Sequence, residues 1–124
     1  MTLFLTALAG GVGGVLRFWV DTAVSRAARS VFPWGTIVVN TSACLILGLL
    51  TGLAYGGAGA EDLRTVVGVG MMGGYSTFST ASVEAVRLMR QRRHTASLAH
   101  AVGMLTLSLA AATLGIAVGE VLAD

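Results

Sequence analysis

Four long stretches of the sequence contain almost no charged residue, and they limit the possible fold more than any other feature. They cover residues 1–20, 31–60, 65–83 and 101–119, and each can supply the roughly 20 residues that a helix needs to cross a bilayer. Hydrophobic residues make up 55% of the 124-residue chain and charged residues only 11%. Because a soluble domain of this size could not bury so much apolar surface, we predict an all-α membrane protein.

The polar segments between these stretches set the bounds of the predicted helices. A single membrane domain over 1–124 is expected to contain four transmembrane helices, at about 2–20, 34–56, 64–90 and 97–121. The formal net charge of +2 is too small to indicate a partner nucleic acid. The glycines of the first helix lack the third glycine and the flanking strand of a dinucleotide loop, so no nucleotide site is expected either.

The arginines are distributed unevenly between the two sides of the predicted bundle. Only Arg64 lies on the side of the termini, whereas seven of the eight basic residues lie on the other side: Arg17, Arg26, Arg29, Arg87, Arg90, Arg92 and Arg93. Because loops rich in Lys and Arg stay in the cytoplasm, this bias predicts that both termini are outside the cell.

The third apolar stretch turns polar where a membrane helix should be most apolar. Gly73 and Gly74 precede a cluster of hydroxyl side chains, namely Ser76, Thr77, Ser79, Thr80 and Ser82. Glycine weakens a helix by about 1 kcal/mol, and a break frees backbone groups that lipid cannot satisfy. We therefore predict that helix three is broken at mid-membrane, near 73–77, and that the freed groups line a cavity or an ion site. Alternatively, the hydroxyls bond back to helix carbonyls and only bend the helix.

Several other polar residues interrupt the apolar stretches. Arg17 follows glycines that permit close helix packing, and its charge is costly in lipid unless it lines water or an anion route. Asn40 either makes an interhelical hydrogen bond or presents its amide to a pore. Ser108 is a weaker candidate on helix four. His94 and His100 are expected to be solvated at the interface, because no other residues with metal-ligand spacing surround them.

Three of these segments together resemble the CrcB family of fluoride channels, also called Fluc. The chain reads "GGVGGVLRF", "GTIVVN" and "GGYSTFSTA" where the family has a glycine-rich helix ending in Arg, "GT-x-x-VN" and "GG-x-[ST]-TFSTF". The length and the four-helix layout match as well, so the resemblance covers essentially the whole chain. It implies a channel, not an enzyme, through which cytoplasmic fluoride passively leaves across the cell membrane, which lowers its toxicity.

The resemblance also implies an assembly and its ion sites. The assembly would be an antiparallel dimer in the lipid bilayer, with two interfacial pores and a structural sodium ion at its centre. By position, main-chain carbonyls of Gly73 and Ser76 would hold the sodium. The pore and anion-pathway residues carried over by position are Arg17, Asn40, Thr77, Phe78, Ser79, Thr80, Glu84 and Ser108. Among them Arg17 would line a vestibule, Phe78 would meet fluoride with its ring edge, and Glu84 would be an acid at the pore mouth.

The helix-three motif departs from the family pattern at one position. Ala81 stands where the second phenylalanine of "TFSTF" belongs, so a homodimer would lose one ring in each pore. The arginine bias is also unexpected for a protein whose subunits insert in both orientations. These two features suggest that the chain is one half of a heterodimer with an oppositely oriented sister subunit, and a divergent homodimer is the alternative.

The main alternative function is that of a subunit of a small multidrug-resistance-type, proton-coupled exporter. That class shares the length, the four helices and the antiparallel pairing, but it needs a carboxylate inside helix one. The predicted helix one ends before Asp21 and contains no acid. A membrane subunit without transport activity would explain the glycines but not the hydroxyl-rich break.

Overall fold

Long apolar helices dominate the computed structural model, which describes residues 1–57 and 59–123. Among these residues, three helices are long and apolar enough to cross a membrane: α1 (Thr2–Ala28), α2 (Trp34–Tyr55) and the last helix, His94–Ala123. The predicted all-α class and the arrangement of the chain in four helical segments are confirmed.

The third segment is made of several short helices rather than one continuous span. It begins with α3 (Glu61–Leu63), continues as a π-helix over Arg64–Met71 (π1), and then as α4 (Met72–Tyr75). After two extended residues, Phe78–Arg90 form α5, and the last helix, His94–Ala123, is therefore α6.

The first helix is longer than the sequence analysis predicted. It ends at Ala28 and not near residue 20. The next residue, Arg29, adopts a left-handed conformation (φ 46°, ψ 38°) and donates its N–H to the Ser25 carbonyl. The predicted end was placed at the first polar residues, but the segment after Val20 contains no glycine or proline that would stop a helix. As a consequence, Asp21 lies inside α1, one turn after Arg17.

The glycines of α1 and α4 allow these two helices to approach closely. A Cβ atom at Gly13 would collide with the Met71 carbonyl oxygen at the end of π1 and lie 2.8 Å from the Tyr75 backbone nitrogen of α4. A Cβ atom at Gly74 would collide with the carbonyl oxygen of Gly10. The expectation that Gly73 and Gly74 themselves form the break needs correction, because both lie within α4. Gly74 serves close packing against α1, and the helix ends only after Tyr75.

The helices bury a small core and leave most of their apolar side chains exposed. The most extensive helix pair is α2 with α6, while α1 packs on π1 and α4. Val39, Ala43, Met72 and Tyr75 form a buried cluster at the centre. The outward faces carry many exposed apolar side chains, among them Phe18 and Leu105, which is the pattern that lipid solvent favours.

Candidate functional site

The polypeptide leaves the helical conformation for two residues between α4 and α5. Ser76 (φ −70°, ψ 157°) and Thr77 (φ −150°, ψ 120°) are both extended. The Thr77 side chain then caps α5, since its Oγ1 accepts the N–H of Thr80 at 3.2 Å. The cap from the buried Thr77 therefore allows a new helix to start at Phe78.

Asn40 of α2 satisfies the backbone groups that this interruption exposes. Its Nδ2 donates to the Thr77 carbonyl at 2.8 Å, and its Oδ1 accepts the Thr77 N–H at 2.7 Å. The interhelical hydrogen bond that was one alternative for Asn40 is thus present. A further donation from Nδ2 reaches only the Met104 thioether sulfur, at 3.2 Å. Because a thioether is a weak acceptor, this part of the amide remains available to a better partner.

A cavity of about 520 Å³ adjoins the interruption. Its wall is mostly apolar, and its lining includes Asn40, Phe78, Ala81, His100 and Ser108. Ser108 Oγ and His100 Nδ1 are buried without a hydrogen-bond partner among the residues that the structure describes. An apolar cavity with a few unpaired polar groups is the usual form of a small-ligand or ion site.

A smaller cavity of about 180 Å³ lies on the α1 side of the interruption. Arg17, Asp21 and Thr36 line it, together with Thr77 and Thr80. The guanidinium of Arg17 donates from Nη1 to the Ser76 carbonyl over a long distance of 3.5 Å. Thr77 lines both cavities, so the extended residues form the wall between them.

The remaining hydroxyl residues divide into two groups. Thr77 Oγ1 lies 3.0 Å from Thr80 Oγ1 and 3.4 Å from Ser79 Oγ, so these three predicted pathway residues are brought together. Ser82 instead donates to the Phe78 carbonyl at 2.9 Å. The helix-bending alternative therefore describes Ser82, but it does not account for the cluster around Thr77.

His100 is the residue that the sequence analysis misjudged. It was expected to be solvated, but its side chain is 0% exposed. Its Nε2 lies 3.3 Å from the Ala81 carbonyl oxygen and 3.7 Å from Glu84 Oε2, so the structure joins His100 to a predicted site residue. The four-residue spacing of His100, Met104 and Ser108 along α6 is the signal that could have placed His100 beside the pocket.

Two main-chain oxygens at the end of α4 have the character of ligands for a hard cation. In a continuous helix the Gly73 carbonyl would accept the Thr77 N–H, but that N–H donates to Asn40 instead. The space beside Gly73 is open, because a Cβ atom there would meet nothing within 4 Å. The Ser76 carbonyl accepts only the long contact from Arg17 among the hydrogen bonds of the described residues. Carbonyl oxygens of this kind fit a sodium ion.

Comparison with known proteins gives this arrangement a family. A family model described as "CrcB-like protein, Camphor Resistance (CrcB)" matches residues 4–116. The chain belongs to the CrcB family. A relative in Leifsonia xyli subsp. xyli, named Fluoride-specific ion channel FluC 1, is 44% identical over 119 residues, which are 96% of this chain and 87% of the relative. The Fluoride-specific ion channel FluC 2 of Cutibacterium acnes is 38% identical over 121 residues, which are 97% and 98% of the two chains.

Membership of the CrcB family confirms the resemblance and bears on the alternative function. The match over residues 4–116 includes every residue of both cavities. The argument against a proton-coupled exporter, that helix one contains no acid, was wrong because Asp21 lies within α1. The CrcB match now disfavours the exporter, and with the apolar helices it identifies the chain as a multi-pass protein of the cell membrane.

Proposed function

We propose that this chain is a subunit of a fluoride-selective channel through which cytoplasmic fluoride passively leaves the cell. The single observation that carries the proposal is the helix interruption at Ser76 and Thr77, which two hydrogen bonds from Asn40 stabilise. The interruption adjoins a cavity that contains buried polar groups without a partner among the described residues. The names of the CrcB relatives, fluoride-specific ion channels, support the choice of ion. A channel of this kind performs no chemical step and is not an enzyme.

The residues of the larger cavity suit a small, strongly hydrated anion. A selective pore has to replace the water around fluoride with close donors. The amide of Asn40, the hydroxyl of Ser108 and the ring edge of Phe78 supply such groups. The residues that line this cavity include neither lysine nor arginine, so no permanent cation traps the ion there. An inside-negative membrane potential would drive the anion outward by about 2.3 kcal/mol per charge per 100 mV.

The exposed face of α5 supports a dimer in which a second subunit completes the pore. Phe78 lines the cavity, yet its side chain is 82% exposed, and Val83, Val86 and Met89 are exposed on the same helix. We propose that an oppositely oriented subunit covers this face, which gives an antiparallel dimer with two interfacial pores. The hydroxyls of Thr77, Ser79 and Thr80 would then continue the ion path past the interruption, at mid-membrane, toward Arg17 and Glu84.

The open space beside Gly73 gives a test of the proposed sodium site. In the dimer, the carbonyls of Gly73 and Ser76 from both subunits would hold the ion at the centre. Gly73→Val is expected to reduce the yield of dimer severely, although a side chain at Gly73 meets nothing within its own subunit. Gly11→Val is the control, because Gly11 is also helical and open. Size-exclusion chromatography in detergent measures the result, and a Gly73→Val dimer yield equal to that of Gly11→Val would contradict the site.

The choice between a heterodimer and a homodimer depends on Ala81 and on the arginine bias. We propose that a sister chain inserts in the opposite orientation and supplies the ring that Ala81 lacks. Reporters at the C-terminus of the chain expressed alone should find it predominantly outside the cell. Equal populations in both orientations, together with fluoride flux from the lone chain, would eliminate the heterodimer and leave the channel proposal intact.

A further inference from the structure

We infer that the buried side chain of His100 is a proton-dependent anion-coordinating group of the pathway. Its protonation would control how strongly the larger cavity attracts an anion. The inference rests on the proposed function, because it assigns a role to His100 within the same cavity. It is carried by the position of the two ring nitrogens and by the pairing of the ring with Glu84.

One nitrogen of His100 is engaged, and the other is buried without a hydrogen-bond partner among the described residues. A carbonyl can only accept a hydrogen bond, so the 3.3 Å contact with the Ala81 carbonyl requires that Nε2 carries its hydrogen. Nδ1 of the neutral ring is then an acceptor, and it has no partner among the described residues. The ring borders the cavity, and Phe32 meets it edge-on with 6.0 Å between the ring centroids.

Protonation would turn the buried, unpaired Nδ1 from an acceptor into a donor. A neutral Nδ1 presents a lone pair, which repels an anion, whereas a protonated Nδ1 presents an N–H donor on a positively charged ring. A hydrogen bond in which one partner is charged is about twice as strong as one between neutral groups. The same cavity would therefore hold fluoride weakly when His100 is neutral and more strongly when it is charged.

The ring of His100 lies beside the carboxyl group of Glu84. Glu84 Oε2, which has no hydrogen-bond partner in the described part of the chain, lies 3.7 Å from Nε2 and can stabilise the imidazolium. The other charged groups that act on Glu84 are Asp21 of α1 and Arg87 of α5. From α2, the buried residue Thr36 contributes a neutral hydroxyl beside Glu84 and no charge.

The test is the dependence of fluoride flux on fluoride concentration at different pH values. The liposomes contain either the chain alone or the chain with its proposed sister subunit, whichever conducts fluoride. Flux is assayed at about pH 5.5 and about pH 8, which lie on either side of the reference pKa of histidine. We expect the half-saturating fluoride concentration to be about tenfold lower at the acidic pH, which is the effect of one charge-assisted bond. His100→Gln, which keeps a donor for the Ala81 carbonyl but cannot gain a proton, should show no such dependence.

Two further variants separate a proton effect from a packing effect. His94→Gln changes the exposed histidine at the start of α6 and should keep the pH dependence. Ser97→Ala removes the neighbouring bond from Ser97 Oγ to the Ala85 carbonyl, which also joins α5 and α6, and should keep it as well. The inference would be overturned if the half-saturating fluoride concentration of the wild type did not depend on pH, or if His100→Gln kept the wild-type pH dependence. It would also be overturned if Ser97→Ala lost the pH dependence as completely as His100→Gln. Absence of fluoride flux at every pH would instead refute the proposed channel.

Discussion

Asn40→Ala is expected to abolish fluoride flux and to lower the free energy of unfolding by about 3 kcal/mol. The substitution removes two hydrogen bonds, to the carbonyl and to the N–H of Thr77. A single buried polar group left without its partner costs about 1–3 kcal/mol, and Thr77 would contain two. The loss of the bridge would also let Ser76 and Thr77 rearrange, so the wall between the two cavities would lose its shape. Thermal unfolding in detergent and flux from liposomes measure the two effects.

Thr41→Val is the matched control for Asn40→Ala. Thr41 is the next residue on α2, and its Oγ1 is buried without a partner among the described side chains. Replacement of that unpaired hydroxyl by a methyl group removes no hydrogen bond, so the free energy of unfolding should stay at the wild-type value or rise by up to about 1–3 kcal/mol. If Asn40→Ala were as stable as Thr41→Val and conducted fluoride at the wild-type rate, the bridging role of Asn40 would be wrong.

Phe78→Ala is expected to reduce fluoride flux at least tenfold while the protomer remains folded. The side chain is 82% exposed in the single subunit and lines the larger cavity, so its removal leaves no hole in the core. It does remove the electropositive ring edge that would contact the ion in place of water. Phe78→Leu keeps most of the bulk without the aromatic ring, so a similar loss in that variant would identify the ring edge as the cause.

Phe4→Ala is the control for these two substitutions. Phe4 is a similarly exposed phenylalanine, at 67%, but it lies near the start of α1 and lines neither cavity. We expect the fluoride flux of Phe4→Ala to equal that of the wild type. Wild-type flux in Phe78→Ala would show that the ion does not pass this ring, and the proposed path would have to be abandoned.

Much of the fold could be predicted from hydrophobicity, but the ends of the helices could not. The apolar stretches indicate which segments form helices, because a backbone in lipid has to satisfy its own hydrogen bonds. Polarity does not stop a helix, so α1 continues to Ala28 past its apolar part. The division of the third segment also depends on tertiary contacts, since the Thr77 backbone leaves the helix only where Asn40 replaces its partners.

The part of the site that a sequence motif encodes could be predicted. The part whose position depends on how two helices pack against each other could not. The motif around Thr77 and Phe78 indicated the interruption, although it did not show that Gly74 serves close packing against α1. The burial of His100 depends on the rotation of α6 against α5, which local composition does not determine. From the sequence alone, a histidine near a basic segment is therefore predicted to be solvated. Only the structure shows that His100 lies beside Glu84.

The most direct test of the channel proposal is ion efflux from liposomes that contain the purified protein. The chain is reconstituted alone, and also together with a CrcB chain that carries phenylalanine at the position of Ala81, and efflux is read with fluoride and chloride electrodes. We expect rapid fluoride efflux in at least one of the two preparations, with chloride efflux no faster than from protein-free liposomes. Fluoride efflux at the protein-free rate in both preparations, or chloride efflux as fast as fluoride, would contradict the proposed function.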